Sequence, residues 1–288
     1  MKIKTLLKRR KPNRSKTGDI GIYILLIMFG IFMAFPLVYA INSAFKPLNE
    51  IFVYPPRVFV QNPTLDNFQD LFVIMGKSWV PFSRYLFNTT FITVVGTCGH
   101  LLISSMGAYV LAKYNFPGSK AFFNIVVIAL MFNGYVTAIP NYLVMSRIGW
   151  VDTYLAIVVP AFASPMGLFL MKQYMEGIPD SLLEAAKIDG AKEWKVYTNI
   201  VMPMVKPAWL TLIILSVQGL WNAKASNFIF SEDLKTLPYA LQQILSGGIA
   251  RAGVGAAVSL VMMIVPVATF IISESNIIET MASSGIKD

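Results

Sequence analysis

The chain has 288 residues, 56% of them hydrophobic and only 14% charged, with a mean hydropathy of +0.61. A soluble domain carries about 25% charged residues, so the deficit excludes an ordinary soluble fold and points to an integral membrane protein. The single cysteine, Cys98, excludes an internal disulfide and a Cys-based metal cage, and the net charge of +9 is concentrated at one end.

Eight of the 24 Lys and Arg residues fall in the first sixteen positions. In a membrane chain such a cluster marks a cytoplasmic end rather than a nucleic-acid site. Residues 1–19 therefore read as a basic cytoplasmic tail. The apolar run at 20–41 is too long for the core of a signal peptide and reads as a retained span. With about 20 apolar residues needed per crossing, further spans are expected near 87–111, 121–145, 154–170, 208–222 and 256–272. Pro36 and Pro266 are expected to kink the first and last of these, and Pro140 and Asn141 to make the far end of the third irregular. With the N-terminus inside, the inner segments carry twice the Lys and Arg of the outer ones, which puts both termini in the cytoplasm; without the first sixteen residues the two sides balance.

Between the first two spans lies a long outer segment with Pro55, Pro56 and Pro63 and aromatics including Phe52, Tyr54, Phe59 and Trp79. It reads either as a docking or lid surface or as a packed cover over the helix ends. A short amphipathic helix over 64–72, capped at Thr64 or Asp66, is expected within it.

The polar island at 181–207 follows the fourth span and falls in the cytoplasm in this topology. Ser181 and Glu184 fit a capping box. Ala185 and Ala186 offer a smooth face to a partner, and Gly190 separates two short helices by adopting a backbone that other residues avoid. Trp194, Tyr197 and Val201 recur about one turn apart as an apolar stripe. Glu184 as a simple cap and the alanines as simple helix formers remain the alternative. Within the spans, Asn133, Tyr135, Asn141, Gln218, Trp221 and Asn222 are candidates for a substrate path, because polar groups facing lipid are costly. Gln218, Trp221 and Asn222 are spaced to share one helix face; interhelical hydrogen bonding is the alternative. His100 is expected to be packed or hydrogen-bonded, since no further metal ligands are spaced around it. No carboxylate lies deep in a span, which argues against a proton-driven carrier.

Glu184-Ala185-Ala186, Gly190, Ile200 and Pro203 stand at the spacing of the EAA loop, and Met202 takes a position usually held by Leu. The chain thereby resembles the transmembrane permeases of bacterial ABC importers. Asn88, Phe116-Pro117-Gly118, Ile178-Pro179-Asp180 and Trp221-Asn222 are similar to the carbohydrate-uptake class, including maltose and oligosaccharide permeases. Ala223-Lys224-Ala225 departs from the acidic or polar, Phe-rich continuation usual in that class.

The resemblance implies an all-α type I permease of about six transmembrane helices in a bacterial inner membrane. Its coupling helix, within 181–203, would carry Glu184, Ala185, Ala186, Asp189 and Gly190. The implied partners are a second homologous permease, two ATP-binding cassette subunits that hold ATP and Mg, an extracytoplasmic solute-binding protein, membrane lipid and a carbohydrate. The chain itself would be non-catalytic and bind no cofactor, and it lacks a Walker A pattern. The tail at 276–288, with Gly285, Ile286 and Lys287, resembles the Gly-Xaa-Lys ending of the class. A permease for another solute and a stand-alone secondary transporter are the alternatives.

Overall fold

The structure, a computed structural model, describes residues 16–284 apart from 77–79, 133, 226, 249 and 250, with side chains placed between residues 18 and 275. The basic tail before Lys16, Trp79, Asn133, Gly285, Ile286 and Lys287 lie outside the described residues. Every regular element among the described residues is helical.

In order these are α1 (Lys16–Ala44), α2 (Leu48–Ile51), α3 (Asp66–Gly76), α4 (Phe82–Lys113), α5 (Ser119–Ala129), α6 (Gly134–Arg147), α7 (Leu155–Phe162) and α8 (Pro165–Glu176). There follow α9 (Asp180–Ile188), α10 (Glu193–Val196), a π-helical turn (Tyr197–Val201), α11 (Met202–Met204), α12 (Lys206–Trp221), a 3-10 turn (Glu232–Leu234), α13 (Leu237–Leu245) and α14 (Ala252–Ser284). Among the described residues, four helical stretches are long and apolar enough to cross a membrane, and up to six if each sharply bent pair counts as one crossing.

Pro36 and Pro266 lie inside continuous helices. Pro140 also lies inside α6, so the irregularity expected there is absent. The interruption falls earlier, between α5 and α6, which meet at 111° where Gly134 opens the second helix. The fourth apolar run is broken at Ser164, whose ψ of 122° is extended, and resumes at Pro165. A proline fits a first helical turn because its missing N–H is not needed there.

α4 is the axis of the bundle, packed on α7, α8 and α12, while α14 packs on α1, α3 and α12. Two apolar clusters lie at its ends. One gathers Tyr109, Met171, Met175, Leu183, Val196, Tyr197 and Val201. The other gathers Leu71, Met75, Tyr85, Leu237, Leu241 and Val258.

At this second end, Asn88 is fully buried and satisfied on both sides of its amide. Its Nδ2 donates to the Asp233 and Lys235 carbonyls at 2.8 Å each, and its Oδ1 accepts from the Tyr154 hydroxyl at 2.7 Å. Asp152, at φ 63°, accepts from the Phe230 and Ser231 amides at 2.9 and 2.8 Å. The Ser231 hydroxyl, which also donates to this carboxylate, and then these amides hold its carboxyl below the usual carboxylate range.

The segment at 46–84 is a packed cover on its inner side. Asn67 donates to the Ala44 and Lys46 carbonyls at 2.9 and 2.7 Å, and the buried Glu50 accepts from the Gln61 and Asn62 amides at 2.8 and 3.3 Å. Phe52, Tyr54 and Phe59 are exposed on its outer side. The expected amphipathic helix is α3, which begins at Asp66 with its amide on Thr64 Oγ1 at 3.1 Å and runs to Gly76 rather than Phe72.

Candidate functional site: the coupling segment and the translocation path

α9 buries Leu183 and partly buries Ala186, while Glu184, Ala185, Asp189 and Gly190 are exposed. Leu182 and Ile188 are exposed as well, the latter at 86%, so the free face of α9 is apolar with an acidic group. Gly190 has φ 82°, the left-handed region in which a side chain is strained. Its amide donates to the Lys187 carbonyl at 3.0 Å, and the Ala191 amide reaches back to the Ala186 carbonyl at 2.9 Å. That pair of bonds is a Schellman closure, and it turns the chain from α9 into α10.

The capping box does not form. Pro179, with ψ 132°, precedes the first helical residue, Asp180, and no side chain caps the helix. Ser181 therefore sits inside the first turn, and Glu184 is exposed. The expected stripe is also shifted: Tyr197 and Val201 are buried together with Val196, but Trp194 is 62% exposed.

Three residues of α4, spaced four apart and so on one helix face, hold this segment. Ser105 Oγ lies 2.6 Å from the Tyr197 hydroxyl. The Tyr109 hydroxyl donates to Glu193 Oε2 at 3.0 Å. Lys113 Nζ pairs with Asp180 Oδ1 at 2.8 Å and also donates to the Ile178 carbonyl. Glu193 completes the frame by pairing with Lys187 at 2.6 Å. The hydrogen bond between them raises the lysine pKa and lowers that of the glutamate. Both ends of α9 are thus fixed to α4, through Asp180 at its start and, at its end, through Lys187 in the last turn and Glu193 beyond it. The sequence carries a signal for this frame in the four-residue spacing of Ser105, Tyr109 and Lys113, which the uniformly apolar surroundings conceal.

The path candidates separate. Tyr135 and Asn141 are exposed on α6, Gln218 is exposed on α12, and Asn222 is exposed at its C-terminal cap. Asn222 Nδ2 donates to the Gln218 carbonyl at 2.8 Å. Trp221 does not share their face: it is 4% exposed and its indole N–H donates to the Met262 carbonyl at 3.1 Å. Successive helical residues are turned by about 100°, so the free face of α12 carries Leu215, Gln218, Gly219 and Asn222 instead. His100 is 6% exposed, with Nδ1 at 2.7 Å from Ser216 Oγ. Among the described residues, no three His, Cys, Asp or Glu side chains converge to hold a metal.

Residues 101–279 match the family of binding-protein-dependent transport system inner membrane components. The arabinooligosaccharides transport system permease protein AraQ of Halalkalibacterium halodurans is 31% identical, over 95% of this chain and 99% of that protein. The polygalacturonan/rhamnogalacturonan transport system permease protein YtcP of Bacillus subtilis is 29% identical over 78% of this chain and 76% of its own length. A crystal structure of a bacterial ABC transporter that imports the acidic polysaccharide alginate superposes with a TM-score of 0.76 at 22% identity, over 92% of this chain and 99% of that one. An apolar helical bundle, a short helix held at both ends by α4 and a family match over most of the chain lead to one conclusion: this protein belongs to the binding-protein-dependent inner membrane components, the transmembrane permeases of ABC importers.

Proposed function

We propose that this chain translocates an oligosaccharide or a glycoside by alternating access, powered by ATP that other subunits hydrolyse. The observation that carries the proposal is the frame around α9: a helix held at both ends by α4, with Leu182, Glu184, Ala185 and Ile188 facing outward. A short helix fixed at both ends moves as a rigid piece with the span that holds it. It seats in a cleft of an ATP-binding cassette subunit, where Glu184 pairs with a basic residue. Two such subunits hold ATP and Mg, and this chain holds no cofactor and catalyses no reaction. A second homologous permease completes the path, and an extracytoplasmic binding protein delivers the cargo. The positive-inside bias supports cytoplasmic termini and a cytoplasmic α9 in a bacterial inner membrane. The carbohydrate cargo rests on the relatives named for arabinooligosaccharides and for polygalacturonan and rhamnogalacturonan transport.

The test is ATP-driven uptake by the reconstituted importer, offered labelled neutral oligosaccharides, amino acids and phosphate in turn. Uptake of an oligosaccharide alone supports the proposal. Uptake of an amino acid or phosphate alone favours a permease for another solute, and uptake without ATP contradicts the mechanism.

A further inference from the structure

An open apolar groove of about 710 Å³ runs along the second half of α4. Ile103, Met106, Gly107, Val110 and Leu111 line it at the three- and four-residue spacing of one helix face. Phe122 of α5 and Leu168 of α8 form its walls. A Cβ at Gly107 would stand 3.0 Å from Leu168 Cδ1, so α8 closes the back of the groove. Ile103, Met106, Val110 and Phe122 are exposed, which leaves the front open.

The length and the charge of the groove select its occupant. α4 ends at Lys113, which pairs with Asp180 at the start of α9, so the mouth of the groove lies on the α9 side of the membrane. From Ile103 to Lys113 α4 rises about 15 Å, at about 1.5 Å per residue. A hydrocarbon core is about 30 Å thick, so the groove has the depth of one leaflet. A transmembrane helix of another subunit would need a groove through the whole core. The mouth is also polar. A second cavity, of about 510 Å³, shares Phe116 and Gly118 with the groove and is lined by Asn115, Ser119 and Lys120. Lys120 is exposed, and among the described residues no carboxylate pairs with it. The neighbouring Lys172 is neutralised by Glu176, so Lys120 sets the charge of the mouth.

We propose that this groove holds an anionic phospholipid of the leaflet on the α9 side, with its phosphate at Lys120 and an acyl chain along α4. Asn115 and Ser119 offer hydrogen-bond donors to the phosphate oxygens beside the ammonium. Basic pockets between transmembrane helices favour anionic head groups on the same grounds. The proposal needs only that α4 crosses a bilayer. It is independent of the carbohydrate cargo and of the seat of α9 on an ATPase.

The test places the protein, purified with its companion subunits, in phosphatidylcholine nanodiscs that contain a phosphatidylglycerol with a diazirine on its acyl chain. Mass spectrometry maps the sites of photolabelling. α1, whose apolar window has no buried residue, reports ordinary annular contact. The expected result is labelling of residues 103–122 several times denser than that of α1. Unlabelled phosphatidylglycerol should displace this label about fivefold more effectively than added phosphatidylcholine, the preference that one lysine near the surface confers. Lys120→Gln should abolish the preference, and Met106→Trp should block the groove while labelling of α1 is unchanged. Equal labelling of α1 and 103–122 would reduce the groove to annular contact and overturn the proposal. Equal displacement by the two lipids, or a preference that survives Lys120→Gln, would overturn the assignment of the phosphate. Label on α1 with none on 103–122 would show that protein covers the groove, and would also overturn the proposal.

Discussion

The indole N–H of Trp221 donates to the main-chain carbonyl of Met262 at 3.1 Å. That carbonyl lies four residues before Pro266, which has no N–H to return to it. Trp221 thus supplies, from α12, the donor that the proline withholds inside α14. The bond joins two packed spans at the place where one of them is weakest.

Trp221→Phe keeps most of the ring and removes the donor. Interhelical hydrogen bonds in membrane proteins are worth about 1 kcal/mol, and a loss of that size is expected on the native background. Pro266→Ala returns an N–H to the helix, so the same substitution on that background should cost less. Thermal unfolding of the four variants in lipid nanodiscs gives the coupling term. Equal losses on both backgrounds would show that the bond does not compensate for the proline.

The frame on α4 is expected to govern coupling more than assembly. Lys113→Met and Tyr109→Phe each release one end of α9, which remains seated through Leu183. Transport per ATP hydrolysed should fall about fivefold, the fold-change of roughly 1 kcal/mol, while the purified complex keeps its composition. Uptake measured alongside phosphate release checks this, and unchanged stoichiometry would contradict it.

The Lys187–Glu193 pair gives a pH signature. Glu193 has a lowered pKa, so its contribution is fully present above the unfolded carboxylate value of about 4.3 and is lost as pH falls through the folded value below that. Lys187 has a raised pKa, so its contribution is present below about 10.4 and is lost as pH rises through the higher folded value. Between these limits the brace should not vary. The difference in melting temperature between the native chain and Glu193→Gln should therefore be constant near neutrality and close below about pH 4. A difference that widens in acid would contradict the assignment.

At the opposite end, Asn88→Ala should be more damaging than Tyr154→Phe. The first leaves the Asp233 and Lys235 carbonyls and the Tyr154 hydroxyl without their partner, and the second removes only one of these bonds. Each buried group left unpaired costs about 1–3 kcal/mol. The order of melting temperatures checks the prediction, and a reversed order would contradict it.

These residues also show what the sequence could reveal. Gly190 between two short helices is legible, because a glycine at that spacing marks a reversal, and the structure places it at φ 82°. The capping box is a misreading caused by Pro179: its extended backbone starts the helix at Asp180, one residue before the serine. Spacing puts Gln218, Trp221 and Asn222 close together on a helix, but only the position of α14 decides that the indole turns away from the amides. Asn88 stands out in the resemblance, yet its partners are 66 to 147 residues away along the chain, beyond any local pattern. Glu50 and Lys46 are buried near the end of α1, satisfied by backbone groups that no sequence period announces.

The central claim is that α9 seats this permease on an ATPase, and co-purification tests it most directly. The tagged chain is solubilised gently and its partners are identified by mass spectrometry, for the native form and for Glu184→Lys combined with Gly190→Pro. The proline cannot adopt the φ of 82° that closes α9. The account predicts that the native chain brings down an ATP-binding cassette subunit and a second permease, and that the variant keeps the permease and loses the ATPase. A native chain that purifies alone in good yield, or a variant that retains the ATPase in full, would contradict it.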